Sequence, residues 1–215
     1  MEQLLEKTKH FVKTELAYAE GGHDWFHIQR VYNNACLIAK TEKVDVLIVQ
    51  LGALLHDIAD SKFYDGDETI GPKKAYAFLG EQQVSNEIIT HVVAIIENIS
   101  FKGGNFTPTF ASKELDVVQD ADRLDAIGAI GIARTFNYGG FKNRAIYNPS
   151  IAPNLSMTKE EYKKSTAPTI NHFYEKLLLL KDKMNTPTGK QLAAQRHEYM
   201  EQFLNQFYNE WEGKV

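Results

Sequence analysis

The sequence predicts an all-α protein, and three observations lead to this prediction. Apolar side chains recur at helical spacing along most of the chain, short stretches with Gly, Pro or Asp separate the periodic segments, and no segment alternates as a half-buried strand would. The 215 residues are 43% hydrophobic and 24% charged, an ordinary globular composition. We expect one domain over residues 1–215, with a core at about 20–135 and a C-terminal helical extension at about 158–212.

Five helices are predicted in the first half of the chain. Gly21-Gly22 ends the first helix, and Asp24 and Asp45 are suited to be N-caps of the second and third. The third helix is apolar from Leu47 to Leu55, with only Gln50 and Gly52 as exceptions, and should be buried. A polar loop over 60–67 follows it. The predicted bounds are about 2–19, 25–40, 45–58, 69–80 and 84–98.

Four further helices are predicted in the second half, at about 112–126, 128–136, 159–183 and 188–211. Residues 137–157 contain Gly139-Gly140, Pro149 and Pro153, which indicates a long irregular segment. Loops of that length in compact domains are often functional lids.

Composition narrows the class of function. A net charge of −4 argues against a nucleic-acid-binding surface, which is usually a basic patch. The single cysteine, Cys36, excludes an internal disulfide and fits a cytoplasmic protein. No apolar run approaches the roughly 20 residues that span a bilayer, and the charged N-terminus does not have the pattern of a signal peptide. We therefore expect neither a nucleic-acid nor a membrane partner.

Ionisable side chains stand beside apolar runs in three predicted helices. His56-Asp57 closes the apolar third helix, and His27 lies near the start of the second. Buried ionisable groups are costly unless they pair or bind a metal. The alternative is a helix C-terminus with a hydrogen-bonded histidine and solvated acids, and His27 alone is equally compatible with a hydrogen-bonded core histidine.

The C-terminal half of the predicted helix 112–126 carries three aspartates, Asp120, Asp122 and Asp125. A solvated helix face is the alternative for all three. However, Asp122 lies four residues from both Val118 and Ala126, which places it on the apolar side of the helix. Imidazole and carboxylate groups from three helices are how helical bundles hold a divalent ion such as Mn, Fe, Co, Ni or Zn.

The order His27, His56-Asp57, Asp122 resembles that of the HD superfamily of metal-dependent phosphohydrolases. The chain is further similar to a bacterial branch of predicted hydrolases whose characterised relatives are nucleoside triphosphate pyrophosphohydrolases. The stretches that carry this likeness are His23–His27, His56–Phe63, Ile96–Phe101, Asp120–Ala133 and Thr188–Trp211.

The resemblance implies that His27, His56, Asp57 and Asp122 hold a divalent metal, with Mn first and Fe, Co, Ni, Zn or Mg as alternatives. A water on such an ion can attack phosphorus near neutral pH. The implied reaction is hydrolysis of a nucleoside triphosphate to the monophosphate and pyrophosphate. A nucleoside monophosphate phosphatase and a non-catalytic nucleotide-binding module remain as alternatives.

Other side chains are candidates for substrate handling. Lys62 is the first choice for the phosphates because it follows the His-Asp doublet most closely, and Lys102, Arg123 and Arg30 come after it. For Lys62 and Lys102 the alternative is an ordinary surface lysine, and for Arg123 it is a pair with Asp120.

Two acidic residues are candidates for catalysis beside Asp57 itself. Asp60 would orient a metal-bound water or a histidine. Glu97 would be a partly desolvated general base, and its alternative is an ordinary residue at the end of a helix, before a loop, without a catalytic role.

The remaining candidates lie at His23 and near the C-terminus. His172 and Lys176 stand four residues apart, so we expect them to reach a phosphate from one helix face. His23 and His27 also have the spacing of the zinc-protease motif His-Glu-x-x-His, with Asp24 in place of Glu. A helix capped at Asp24 would leave His23 outside it, which argues against a protease and makes His23 a residue of the pocket wall.

Overall fold

Helices make up all the regular secondary structure of the described residues, and the predicted all-α class is confirmed. The computed structural model describes residues 1–17, 19, 24–59, 67–99, 110–158, 161 and 164–215. The helices are α1 Glu2–Glu15, α2 Trp25–Ala39, α3 Val46–Leu55, α4 Ile70–Glu81, α5 Asn86–Asn98, α6 Lys113–Asp125, α7 Gly128–Phe141, α8 Asn171–Glu175 and α9 Pro187–Trp211, with a 3₁₀ helix over Leu177–Lys183.

The chain divides into two compact units, Met1–Asp122 and Arg123–Val215. The boundary falls inside α6, so that helix contributes residues to both. The expectation of one domain over 1–215 stays a prediction. Among the described residues, no helix combines the length and the apolar character that a bilayer crossing requires.

Helix α3 is the centre of the first unit. It packs against α1, α2 and α5, and seven of its ten residues are buried. A helix that is apolar on all sides is stable in water only when neighbours cover it. At Gly52 a Cβ would lie 3.3 Å from the Ile95 side chain, so the lack of a side chain there lets α3 and α5 approach closely.

Aspartate caps fix where α2 and α3 begin, as predicted. The Asp24 carboxylate accepts a hydrogen bond from the His27 backbone N–H at 2.9 Å, and the Asp45 carboxylate accepts bonds from Leu47 and Ile48. Each such cap stabilises its helix by about 1 kcal/mol. The cap at Asp24 also sets the rotation of α2 and therefore the direction of the His27 side chain.

In the second unit, α9 packs against α7 and the 3₁₀ helix. Phe136, Phe173 and Phe203 pack against one another there, with ring centroids 5.8 to 6.1 Å apart, and Phe173 is fully buried. Tyr147 packs edge-on against the C-terminal end of α9, 5.0 Å from the Trp211 ring centroid. Both Phe136 and Tyr147 are therefore engaged in packing within the second unit.

The predicted helix 159–183 is wrong. Of the residues described there, 165–170 are not helical, and a short α8 is followed by the 3₁₀ helix. Pro168 has no N–H to donate and restricts the backbone of the residue before it, so a helix cannot run through it. A second break comes at Lys176, where φ is −143°.

Helix α7 is longer than predicted and includes Gly139-Gly140, which we assigned to an irregular segment. At Gly139 a Cβ would lie 2.2 Å from Thr169 Oγ1, so the glycine serves close packing and not a turn. The helix ends instead at Phe141, two residues before Asn143, which has a φ of +52°. Helix α1 is shorter than predicted and stops at Glu15.

Candidate metal centre

Three helices of the first unit bring two histidines and two aspartates together. The ligand atoms of His27, His56 and Asp57 all lie within 4.8 Å of one another. Asp122 Oδ1 lies 3.5 Å from His27 Nε2 and 3.9 Å from His56 Nε2. These are the four residues that the sequence pattern predicted as ligands, and the structure places them in one cluster, which we call the His/Asp cluster.

A hydrogen bond determines which ring nitrogen of His56 carries the proton, and the other nitrogen faces the cluster. Its Nδ1 lies 2.9 Å from the Ala53 carbonyl oxygen, which can only accept, so Nδ1 carries the proton. Nε2 is then an acceptor, is buried, and has no hydrogen-bond partner among the described residues. A buried acceptor without a partner costs free energy unless something else occupies that position.

The spacing of the cluster fits a divalent cation. Ligand atoms held about 2.1 Å from one ion are separated from each other by roughly 3 to 4.3 Å. The separations of 3.5 and 3.9 Å lie within that range. Together with the unpartnered Nε2 of His56, this shows that the donor set fits a metal ion, and two imidazoles favour a transition ion over calcium. Within the part of the chain that the structure describes, His27, His56 and Asp57 form a group of three potential metal ligands, and Asp122 lies beside both histidines.

The cluster is buried on its histidine side and open on its aspartate side. The side chains of His27 and His56 are 3% and 4% exposed, whereas that of Asp122 is 40% exposed. The imidazoles are therefore held by the core, and solvent or a substrate reaches the cluster past the carboxylate. Asp57 is half-buried between these extremes.

Asn34 is a site residue that sequence reasoning missed. It lies seven residues after His27 on the same face of α2 and donates a hydrogen bond to the Ala121 carbonyl at 3.3 Å. This bond links α2 to α6 one residue before Asp122. Its spacing of two helical turns from His27 is the signal that points to it, because residues so spaced share one face.

Two aspartates of α6 do not lie on a solvated face. Asp120 and Asp125 are 0% and 1% exposed, so the solvated alternative is wrong for both. Asp125 forms an ion pair with Arg134 at 2.5 Å. The sequence pattern singled out Asp122 and did not predict that Asp120 is buried.

The structure gives Arg123 a partner that the sequence did not predict, and it exposes Glu97 to solvent. Arg123 Nη1 donates to the Lys183 carbonyl at 2.6 Å, at the end of the 3₁₀ helix. That bond gives the guanidinium a structural role in the second unit that the sequence did not predict. Glu97 is exposed, so the expected partial desolvation is wrong and its role as a base has no support from burial.

The C-terminal candidates are not arranged as one helix face. His172 lies in α8, but that helix ends at Glu175, and Lys176 lies beyond it with a non-helical backbone. His172 is half-buried, and burial lowers its pKa to about 4, with the charges of Lys176 and Arg144 adding to the shift. The imidazole is therefore neutral at pH 7. Four predicted site residues lie outside the described residues: His23, Asp60, Lys62 and Lys102.

Fold and site together define a helical protein with a histidine-aspartate metal site. The family model of the HD domain matches residues 25–127. The Bacillus subtilis protein YpgQ is 38% identical over 202 residues, which are 94% of this chain and 90% of that protein. A crystal structure of YpgQ in complex with ADP superposes with a TM-score of 0.77 and 34% identity, covering 97% of this chain and 95% of that one. An HD-superfamily hydrolase from Bacillus thuringiensis superposes with a TM-score of 0.80 and 45% identity, covering 98% of each chain.

The chain belongs to the HD superfamily of hydrolases. The resemblance in the order of His27, His56-Asp57 and Asp122 is thereby confirmed at the level of the family.

Proposed function

We propose that the protein is a metal-dependent phosphohydrolase that converts a nucleoside triphosphate to the monophosphate and pyrophosphate. The observation that carries the proposal is the His/Asp cluster, with its unpartnered His56 Nε2 and its opening at Asp122. The ADP bound by YpgQ supports a nucleotide as the substrate. The lone Cys36 supports a cytoplasmic location.

In this proposal His27, His56, Asp57 and Asp122 hold the ion, with Mn preferred over Fe, Co, Ni, Zn or Mg. When bound, the ion supplies Lewis acidity and a water acidic enough to attack phosphorus near neutral pH. The Ala53 carbonyl keeps the proton on His56 Nδ1 and so keeps Nε2 available as a ligand atom. Asn34 keeps α2 and α6 in register, so that His27 and Asp122 stay together.

The charge of a triphosphate requires cations near the carboxylates of the cluster. Lys62 is the first choice for the phosphates beyond the attacked phosphorus, followed by Lys102, and Asp60 is proposed to orient the attacking water. These assignments rest on the resemblance and on sequence position. Glu97 and Arg123 are weaker candidates after the structure, because one is exposed and the other binds the Lys183 carbonyl.

The test is to identify products by phosphorus NMR after incubating the protein with a nucleoside triphosphate and Mn. We expect the monophosphate and pyrophosphate, with no diphosphate nucleotide. Inorganic phosphate and a nucleoside diphosphate would exclude attack at the α-phosphorus. Hydrolysis confined to monophosphates would favour the phosphatase alternative, and binding of nucleotides without turnover would favour the binding module. The matched control is Asp122→Asn, which keeps the size of the side chain and removes its charge.

A further inference from the structure

One turn of α6, over residues 119–122, makes polar contacts with neighbouring elements of the first unit. The Ala121 carbonyl accepts the hydrogen bond from Asn34 of α2 at 3.3 Å. The next residue, Asp122, is the proposed ligand whose Oδ1 lies 3.5 Å from His27 Nε2. The position of the Asp122 carboxylate in the His/Asp cluster therefore depends on where this turn of α6 is held.

Gln119 ties the same turn to the end of α5. Its Nε2 donates to the Asn98 carbonyl at 3.0 Å and lies 3.4 Å from the Ile99 carbonyl oxygen. The last carbonyls of a helix have no partner within that helix, and they are costly when they are buried without one. Ile99 is only 8% exposed, so the Gln119 amide supplies a donor where little solvent enters. One side chain thus completes the C-terminus of α5 and joins it to α6.

The Asp122 carboxylate depends on its helix more than the two histidines do. The side chains of His27 and His56 are 3% and 4% exposed, so the core holds them, whereas that of Asp122 is 40% exposed. Gln119 and Asp122 are three residues apart and are neighbours on the surface of α6. Without the Gln119 donor, water would have to enter between α5 and α6 to reach the Asn98 carbonyl. That entry would displace the turn that carries Asp122.

We propose that Gln119 is a positioning residue for the metal centre. It acts through the backbone of α6, and it keeps Asp122 at the distance from His27 Nε2 and His56 Nε2 that a single ion can bridge. The inference rests on the metal site of the proposed function, because the role concerns that ion, and it holds whichever phosphorus is attacked. The competing explanation is that Gln119 serves only the stability of α5.

The test is titration of the metal-free, full-length protein with Co²⁺, followed by the visible absorption spectrum, which reports the ligands around the ion. Gln119→Met has nearly the same length and cannot donate a hydrogen bond. We expect its Kd for Co²⁺ to rise about tenfold, the lower end of the loss that follows when the support of a metal ligand is removed. At saturating Co²⁺ its spectrum should shift toward that of Asp122→Asn, in which the carboxylate is absent.

Gln119→Asn guards against misfolding of the methionine variant. It keeps the amide but is one methylene shorter, so both the Kd and the spectrum should change in the same direction by a smaller amount. Gln202→Met is the matched control, because it removes a glutamine hydrogen bond on the exposed face of α9 and should bind Co²⁺ as the wild type does. Gly139→Ala controls for a general loss of stability, since its Cβ would meet Thr169 in the second unit. It should leave the Kd and the spectrum unchanged.

A wild-type Kd and spectrum in Gln119→Met, together with a lowered melting temperature, would overturn the proposal and leave Gln119 a role in stability alone. The same changes in Gly139→Ala would also overturn it, because any loss of stability would then have this effect. Absence of Co²⁺ binding by the wild type would instead refute the metal centre, and the proposed function with it. The two failures are therefore distinguishable.

Discussion

At the scale of single residues, the chemistry of the molecule depends on which ring nitrogen of His56 carries the proton. The hydrogen bond to the Ala53 carbonyl decides this, and it leaves Nε2 as the buried atom that faces His27 and Asp122. Without the hydrogen bond to that carbonyl, the His56 imidazole would exchange between two tautomers. Only one of these tautomers can bind a metal through Nε2.

Replacing a ligand residue should abolish both metal binding and turnover. For His56→Ala and Asp57→Ala we expect hydrolysis to fall at least a thousandfold and bound Mn to be lost, because an incomplete donor set no longer activates water. Metal content is measured by elemental analysis, and circular dichroism should show an unchanged helical fold. Wild-type turnover with metal still bound in either variant would show that the residue is not a ligand.

His172 should make stability depend on pH. Its folded-state pKa of about 4 is below the ordinary value of 6.5, so the unfolded chain binds a proton that the folded chain does not. Stability is therefore complete above about pH 6.5 and falls as the pH drops toward 4, by up to about 2 kcal/mol at pH 5. Urea unfolding in phosphate-free buffer at pH 7 and pH 5 measures this. His172→Asn should lose that part of the difference, and the same pH dependence in the variant would contradict the prediction.

At the scale of secondary-structure elements, the ends of α7 and α8 show how local rules and packing compete. Pro168 prevents a continuous helix, as its missing N–H requires, although the apolar periodicity on either side favours one. In α7 the opposite occurs. Two glycines that weaken a helix by propensity are retained within it, because contact with Thr169 leaves no room for a side chain at Gly139.

The adjacent glycines Gly139 and Gly140 of α7 should respond in opposite ways to alanine. Gly139→Ala should destabilise the protein by about 1 to 3 kcal/mol, because the Cβ meets Thr169 Oγ1, and Thr169 is itself held by the Ala145 carbonyl. Gly140→Ala has nothing within 4 Å of its Cβ and should stabilise the helix by up to about 1 kcal/mol. Thermal or urea unfolding of the pair measures the contrast, and equal effects would mean that propensity alone governs both positions.

At the scale of the whole molecule, the His/Asp cluster lies entirely within the unit Met1–Asp122. Metal binding acts on the first unit directly, since all four proposed ligands belong to it.

Metal should stabilise the folded protein in a selective way. A ligand that binds only the folded state stabilises it by about 2.7 kcal/mol at a concentration one hundred times its Kd. We expect Mn to raise the melting temperature after exhaustive chelation, and Ca to do so much less, because two imidazoles disfavour calcium. Differential scanning fluorimetry measures both, with His56→Ala as the control that responds to neither ion. An equal response to Ca would argue against the histidines as ligands.

Much of this protein follows from the sequence itself. The set His27, His56-Asp57 and Asp122 was predicted from its resemblance to the HD superfamily, whereas the all-α class and the caps at Asp24 and Asp45 come from local rules: periodicity and hydrogen bonding within three residues. These rules act between near neighbours in the chain or on one helix face, so the amino-acid order is sufficient to apply them.

What required the tertiary structure is the set of contacts between residues far apart in sequence. The hydrogen bond from Arg123 to the Lys183 carbonyl is one of them, because it joins residues 60 positions apart. The burial of Asp120, the exposure of Glu97, and the meeting of Gly139 with Thr169 are of the same kind. Such contacts depend on how helices pack, and packing is decided by the fit of many side chains at once, so no short pattern in the sequence contains them.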